Sequence, residues 1–255
     1  MSKIYKTKLI QMNKYYFIIL LSAIVFMQCK PTTRVEEVVT IVDPAANKKG
    51  DTFTLNLKPG KHFNHPTYVV WAEDMAGNYL RTIYITESYA SGIFGHQMQG
   101  DSIWLKTKGP SFQPAALPYW THKKPGSKDG TKVPTPQNPF VDAYTGATQK
   151  TAFNFETSIA DQLPFRVLME VNQTWDWNEH WTNNLYPDSP AYKRSAQPSV
   201  VYSVTIDEKS GSFYLNPIGH GDPKGDSGKL FTNLKTMTTA LLIFDTMEIR
   251  LNSSK

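Results

Sequence analysis

The sequence predicts an all-β fold: a single antiparallel β-sandwich of immunoglobulin-like build, with long loop insertions and few short helices. Residues Thr52–Leu57 alternate strictly between polar and apolar side chains, which is the pattern of a half-buried strand. Two β-prone runs, Thr67–Glu73 and Tyr79–Thr86, flank a turn that contains Gly77 and Asn78, and this arrangement is typical of a hairpin. The 13 Phe, 13 Tyr and 6 Trp among 255 residues supply enough apolar surface for a folded core.

Further strands follow along the chain, and they are predicted at Ala152–Thr157, Phe165–Asn172, Val200–Asp207, Ser212–Asn216 and Ala240–Leu251. The turn residues Glu208–Gly211 are predicted to join one pair of these strands. Two regions are predicted to be irregular, residues 88–150 and residues 181–198. A short helix at 103–108 or 115–120 is compatible with the first region, which otherwise looks like a loop insertion.

The formal net charge of +5 is concentrated at the N-terminus. Residues 1–14 contain four lysines and no acidic residue, and residues 15–28 carry no formal charge. The rest of the chain therefore has a charge of +1, the difference between +5 and +4. A nucleic-acid partner is not expected, because phosphate binding needs a clustered basic surface.

Residues 1–28 are predicted to be a signal peptide, because the basic start precedes an apolar run, Tyr15–Met27, that is short for a membrane span. Cys29, the only cysteine, follows this run directly. The segment resembles a bacterial lipoprotein signal, in which the cysteine after the cleavage site receives the lipid. The resemblance implies lipidation of Cys29, with soluble secretion or an uncleaved N-terminal anchor as the alternatives.

The same resemblance divides the rest of the chain into an anchor and a folded domain. Residues 29–50 are expected to be a lipid-anchor tether that includes the β-prone stretch Val38–Val42, and residues 51–255 a periplasmic β-sandwich domain. The protein is thus expected to be exported and held at the membrane, in the periplasm or on the cell surface. Because no cysteine follows Cys29, the domain has no intrachain disulfide and no cysteine-based site.

The most specific motif is Asp142–Thr148, with the sequence Asp-Ala-Tyr-Thr-Gly-Ala-Thr. It resembles the flavinylation motif, which is Asp, two variable residues, Ser or Thr, Gly, Ala, and a final Ser or Thr. A magnesium-dependent FMN transferase attaches FMN to the last hydroxyl of such a motif. The resemblance therefore implies FMN covalently bound to Thr148 and an FMN transferase as the maturation partner. The acceptor has to be a hydroxyl, because it attacks a phosphorus of FAD and displaces AMP.

The other fixed positions of the motif are expected to shape the loop. Asp142 and Thr145 are predicted to hydrogen-bond the loop's own amides. Gly146 and Ala147 are predicted to keep the backbone slim enough to enter the transferase's cleft. The alternative is a structural turn that carries no cofactor and only caps the loop before the strand at Ala152.

A wider resemblance connects the chain to a family of predicted periplasmic proteins, domain of unknown function 2271. It extends from about Thr52 to Leu251, and the segments that carry it are Tyr68–Asp74, Gly77–Thr82, the Thr-Gly-Ala-Thr loop, Glu170–Gln173, Trp175–Glu179, Gln197–Ser199 and Ile218–Gly221. The resemblance implies a β-rich periplasmic or surface protein. The family is associated with flavin-transfer and membrane redox systems, so a membrane redox protein is an expected partner.

Aromatic residues and one histidine form two further candidate contacts for a ligand. Trp175 and Trp177 would share a face if the strand before them continued, either as a stacking surface for a ring or as a hydrophobic rim. His220 lies between Gly219 and Gly221, an arrangement that suits either a ligand pocket or a tight turn with the ring in water. No metal site is expected, because no set of histidines and acids has ligand spacing outside a helical context.

The leading hypothesis is a lipid-anchored extracytoplasmic flavoprotein that carries electrons on FMN at Thr148. The alternative is a non-redox β-sandwich binding or envelope lipoprotein that uses its tryptophan-rich surface. The chain contains no Gly-x-Ser-x-Gly elbow, no Gly-x-Gly-x-x-Gly and no P-loop. An electron-transfer or binding protein is therefore expected rather than a stand-alone enzyme, and no residue is assigned a catalytic role.

Overall fold

The computed structural model describes residues 37–44, 46, 50–101, 103–126 and 132–253. The predicted signal peptide and Cys29 lie outside these residues. The described residues form two large sheets, whose strands are numbered in chain order. The five-stranded sheet has the order β1 (Val38–Val42), β10 (Ala152–Ile159), β2 (Asp51–Pro59), β15 (Phe244–Asn252), β13 (Gly211–Tyr214). The six-stranded sheet has the order β14 (Asn216–His220), β12 (Val200–Ile206), β11 (Phe165–Asn172), β3 (Thr67–Glu73), β4 (Tyr79–Thr86), β9 (Tyr144–Gly146).

These two sheets pack face to face, and the predicted antiparallel β-sandwich is confirmed. Only the edge pairs β1–β10 and β4–β9 are parallel within the described part of the two sheets. The core between the sheets comes from side chains that alternate along each strand, as a half-buried strand requires. The apolar residues of the Thr52–Leu57 run all lie in it, and they are Phe53, Leu55 and Leu57.

β3 is buried on both of its faces, because a second apolar layer covers the outer side of the six-stranded sheet. This layer belongs to the chain between β4 and β9. It includes the helices α1 (Glu87–Ser91) and α2 (Pro118–Lys123) and two small two-stranded sheets, formed by β5 (Ile93–Phe94) with β8 (Gly109–Pro110) and by β6 (Gln97–Gln99) with β7 (Ile103–Leu105). Leu117 and Trp120 of the layer are fully buried against the sheet. The predicted insertion is thus a packed part of the domain.

Short helices are few, as predicted. Of the two positions considered for a helix in the insertion, 115–120 overlaps α2, whereas 103–108 was wrong because Ile103–Leu105 forms β7. The region predicted as irregular at 181–198 contains a third helix, α3 (Pro190–Ser195), and a 3-10 turn at Ala240–Leu242 precedes β15. Among the described helices, none has the length and apolar character needed to span a bilayer.

The turn at Glu208–Gly211 does not form a hairpin. β12 lies in the six-stranded sheet and β13 in the five-stranded sheet, so this turn carries the chain across the sandwich. β12 instead pairs with β14. The predicted strand Ser212–Asn216 is accordingly divided at Leu215, which lies between β13 and β14 in the chain. The side chain of Leu215 is buried in the core.

The sandwich also begins earlier than predicted. Val38–Val42, expected in the tether, forms β1 and pairs in parallel with β10. Asp43 continues this contact, because its amide donates to the Glu156 carbonyl at 2.8 Å and its carboxylate accepts from Thr157 at 2.8 Å. The folded domain therefore includes residues that were expected to belong to the segment 29–50.

A buried carboxyl group on β11 fixes the start of α2. Glu170 accepts hydrogen bonds from the Tyr119 amide at 3.1 Å, the Trp120 amide at 2.8 Å and the Ser199 hydroxyl at 2.5 Å. Glu170 thus accepts from two of the amides that the first turn of a helix leaves without partners. Burial nevertheless outweighs them and raises the pKa of Glu170 to about 7.

This raised pKa predicts a pH-dependent stability. An unfolded Glu titrates near pH 4.5, so the native state binds the proton more tightly, and the resulting stability is complete below that pH and lost as the pH rises to about 7. The loss is about 3 kcal/mol at most, since one pKa unit corresponds to about 1.4 kcal/mol. Urea unfolding of the wild type and of Glu170→Gln from about pH 4 to 8 measures it. A difference between the two proteins that does not change with pH would contradict the expectation.

Candidate functional site

The motif Asp142–Thr148 forms an edge strand followed by a short exposed segment. Its residues 144–146 are β9, which adds to β4 in parallel, with Tyr144 opposite Tyr84 and Gly146 opposite Thr86. Because β9 is the last strand of the six-stranded sheet, its outer edge has no neighbouring strand among the described residues. The motif is therefore held on a rigid scaffold and is open on one side.

The side chains of Asp142 and Thr145 do not shape the loop in the way that was predicted. Both are exposed, and neither bonds a backbone amide of residues 142–148, all of which the structure describes. The pairing of β9 with β4 fixes the backbone instead. Ala147 is also exposed, and its carbonyl accepts a hydrogen bond from the Tyr84 hydroxyl at 3.4 Å.

The structure gives a reason for glycine at position 146 that the sequence did not indicate. A Cβ atom at this position would lie 2.5 Å from the hydroxyl oxygen of Tyr84, which is too close for any side chain. Tyr84 belongs to the core and stacks on Tyr68 and Tyr144, with ring centroids 5.6 Å and 5.9 Å away. Glycine is thus required where β9 crosses the Tyr84 ring.

Thr148 lies just beyond β9 and is half-buried. Its hydroxyl donates to the Pro66 carbonyl at 3.0 Å, a contact that holds the side chain at the rim of a cavity of about 620 Å³. Small-molecule sites in proteins generally have volumes of about 300–1,000 Å³. The acceptor position of the motif therefore borders a cavity of ligand size.

Trp175 and Arg194 line the same cavity. The guanidinium carbon of Arg194 lies 4.4 Å from the Trp175 ring centroid and 5.7 Å from that of Trp104. Arg194 is 4% exposed, and its Nε and Nη1 have no hydrogen-bond partner among the described residues. Its Nη2 donates to the His96 carbonyl at 3.4 Å. Burial lowers the pKa of Arg194 to about 10, so the group is charged at neutral pH.

The cavity is positively charged overall. Arg194 and Lys108 contribute two cations, whereas Glu87 is the one carboxylate among the described residues that line it. His65 and His96 also border the cavity. A cavity with this lining favours a ligand that combines an anionic group with a flat apolar ring.

The two tryptophans that were predicted to contact a ligand have different surroundings. β11 ends at Asn172, and the chain turns at Trp175, whose φ angle is +58° and whose amide donates to the Arg194 carbonyl at 2.9 Å. Trp175 therefore faces the cavity and is 37% exposed, whereas Trp177 packs on Tyr192 with ring centroids 5.7 Å apart. The two rings do not share a face, because the strand does not continue to them as that arrangement would require.

His220 belongs to a different cavity. It is the last residue of β14 and is buried, so the alternative of a turn with its ring in water was wrong. Its ring stacks on Phe231 at 5.2 Å and meets Trp181 edge-on at 5.7 Å. Nδ1 donates to the Gly221 carbonyl at 2.8 Å, and burial lowers the pKa of His220. This cavity has a volume of about 700 Å³ and also borders Tyr186.

The sequence matches no protein-family model, and comparison with curated proteins finds no counterpart. No solved structure matches the fold. The chemistry of the site is therefore argued from its own residues and from the motif that contains Thr148.

Proposed function

We propose that this protein is a lipid-anchored extracytoplasmic flavoprotein that carries electrons on an FMN attached covalently to Thr148. The observation that carries the proposal is the position of Thr148. Every fixed residue of the flavinylation-type motif is present, and the last hydroxyl borders a ligand-sized cavity with a buried cation and an exposed indole ring. A structural turn without a cofactor would need neither the cavity nor the unpaired Arg194.

The attachment step is a phosphoryl transfer. The Thr148 oxygen attacks the FMN phosphorus of FAD, a Thr–O–P bond forms and the P–O–P bond to AMP breaks. The hydroxyl proton passes to a base of the transferase, and AMP leaves. The open side of β9 and the exposure of Ala147 give a transferase access to the hydroxyl.

The chain's own residues have defined tasks in this proposal. FMN, once bound, supplies reversible electron transfer, and covalent attachment prevents its loss outside the cytoplasm. β9 and Tyr84 fix the position of the acceptor, and the Pro66 carbonyl orients its side chain. An FMN transferase matures the protein, and a membrane redox protein exchanges electrons with it.

The proposal is tested by the mass of the protein made with and without an active FMN transferase. The expected result is an added mass of one FMN moiety, together with flavin fluorescence that stays with the denatured chain. Noncovalent flavin is removed by denaturation, so this measurement separates attachment from binding. A wild-type protein with no added mass in the presence of an active transferase would overturn the proposal.

The membrane anchor is tested at Cys29. Cys29→Ser is expected to block lipidation, and the protein should then leave the membrane fraction or remain as the unprocessed precursor. One acyl chain binds a bilayer only marginally, whereas the several chains of a bacterial lipoprotein hold firmly. Fractionation and gel mobility of the two proteins measure the effect. Unchanged membrane retention and mobility in the variant would mean that Cys29 carries no anchor.

A non-redox binding or envelope lipoprotein is the second candidate function. The cavity beside His220 favours it, because Trp181 and Phe231 present aromatic rings there that suit a sugar or another flat ligand. This cavity does not include Thr148, so its ligand would not depend on the motif. Absence of covalent FMN from the wild type would make this candidate the leading one.

A further inference from the structure

Arg194 is a buried cation without a counter-charge. No ion pair joins it to an acid in the described part of the chain, and two of its nitrogens have no hydrogen-bond partner. The one hydrogen bond of its guanidinium to a described residue, the His96 carbonyl, is long at 3.4 Å. A buried charge in this state costs free energy, and the aromatic faces of Trp175 and Trp104 compensate only a part of that cost. Such an arrangement is unfavourable for folding alone and indicates a ligand.

Trp175, on the aromatic side of the cavity, has an unfavourable backbone conformation as well. Trp175 adopts a left-handed backbone conformation, which is uncommon for a large side chain. It remains 37% exposed, although it is a large apolar residue in contact with a cation. His96 meets its ring edge-on at 5.1 Å and holds the indole in place. Trp175 lines the same cavity as Thr148.

We propose that the cavity lined by Thr148, Trp175 and Arg194 is the binding site of the flavin ring, with Trp175 as its stacking contact and Arg194 as the cation that positions it. This inference rests on the proposed attachment of FMN to Thr148. The phosphate and the ribityl chain would lie between Thr148 and the ring, so one cavity accommodates the whole cofactor. The ring would therefore be sheltered from water and would not swing free on its tether.

The polar edge of the flavin ring explains why the residue at position 194 is an arginine. This edge carries carbonyl oxygens and ring nitrogens, and a planar guanidinium matches such acceptors better than an ammonium group does. Lys108 is exposed and is available to the phosphate, whereas Arg194 is desolvated and acts at short range. Both cations thus have a partner in the same cofactor.

The experiment compares the wild type, Trp175→Leu, Arg194→Met and Lys193→Met, each made with an active FMN transferase. Lys193→Met is the matched control, because it removes a positive charge from the same helix, α3, at a position outside the cavity. Flavin fluorescence of the denatured band reports attachment. Native fluorescence per attached flavin, and its quenching by the neutral molecule acrylamide, report how far the ring is sheltered.

The native emission of each protein is divided by the flavin attached to it, so the comparison does not depend on the extent of attachment. The native fluorescence of the wild type and of Lys193→Met should be several-fold below that of the same chains after denaturation, because contact with an indole quenches flavin emission. Trp175→Leu should recover most of this emission, and Arg194→Met should make the flavin more accessible to acrylamide. A wild type whose native and denatured emission are equal, or variants that behave like the wild type, would overturn the inference while attachment stands. A wild-type band without fluorescence overturns the proposed function and the inference together.

The stability of the cofactor-free protein provides a second test of the role of Arg194. If this residue serves the ligand, Arg194→Met should leave the thermal midpoint unchanged or raise it, because an unpaired buried charge is removed. A lower midpoint would assign Arg194 to the fold and overturn its role as the positioning cation. In that case Trp175→Leu still decides whether the ring lies in the cavity.

Discussion

Thr148→Ala is expected to abolish covalent attachment of FMN, leaving no flavin fluorescence in the denatured band. Alanine lacks the oxygen that attacks the phosphorus, and no other hydroxyl occupies the acceptor position of the motif. The variant should remain folded, because the Thr148 side chain makes one hydrogen bond to a described residue, the Pro66 carbonyl, whose loss costs about 1 kcal/mol. Gel fluorescence of the protein made with an active FMN transferase measures the effect, and mass mapping of the peptide around Thr148 locates the modification.

Two matched variants separate the acceptor from its surroundings. Thr148→Ser keeps a hydroxyl at the same position and should retain the FMN. Thr145→Ala should also retain it, because this side chain is exposed and bonds none of the loop's amides. Attachment to Thr148→Ala, or loss of attachment in Thr145→Ala with Thr148 intact, would show that the acceptor has been misassigned.

The central strands were predictable because their sequence patterns are local. β3, β4 and β11 have the bounds that β-prone composition and the turn at Gly77 indicated. Gly77 has a φ angle of +87°, which a tight turn requires. The motif around Thr148 could likewise be recognised from the sequence, because all its fixed positions lie within one short segment.

The partners of the site were not predictable in the same way. Arg194 meets Trp175 only because α3 folds back onto the turn after β11, and neither segment carries a strand or helix pattern that fixes its direction. The need for glycine at position 146 depends on the Tyr84 ring, which the β9–β4 pairing brings there. The crossing of Glu208–Gly211 between sheets depends on strand pairing that no local turn signal specifies. These features arise from long-range contacts, which single-sequence patterns do not encode.

The attachment of the insertion to the sandwich depends on a long-range charge cluster of the same kind. Glu73 ends β3 and is fully buried. Its carboxylate lies 3.1 Å from Arg166 on β11 and 3.3 Å from Lys123 on α2, and it accepts a hydrogen bond from the Trp71 indole at 3.0 Å. Lys123 also donates to the Gly77 carbonyl at 2.9 Å. One carboxylate thus joins the sheet, the hairpin turn and the layer that covers the outer face.

Glu73→Ala is therefore expected to destabilise the fold by about 3–5 kcal/mol, the range for removing one partner of a buried ion pair. Arg166 and Lys123 keep partial access to water, with side chains 31% and 28% exposed, so they can rehydrate and the loss should fall near the lower end. Glu73→Gln should cost less, because an amide oxygen still accepts from Trp71. Asp245→Ala is the control, since its pair with Lys58 is exposed and worth less than about 1 kcal/mol. Urea unfolding measures all three, and a loss for Glu73→Ala no larger than that for Asp245→Ala would show that the carboxylate does not hold the insertion on the sandwich.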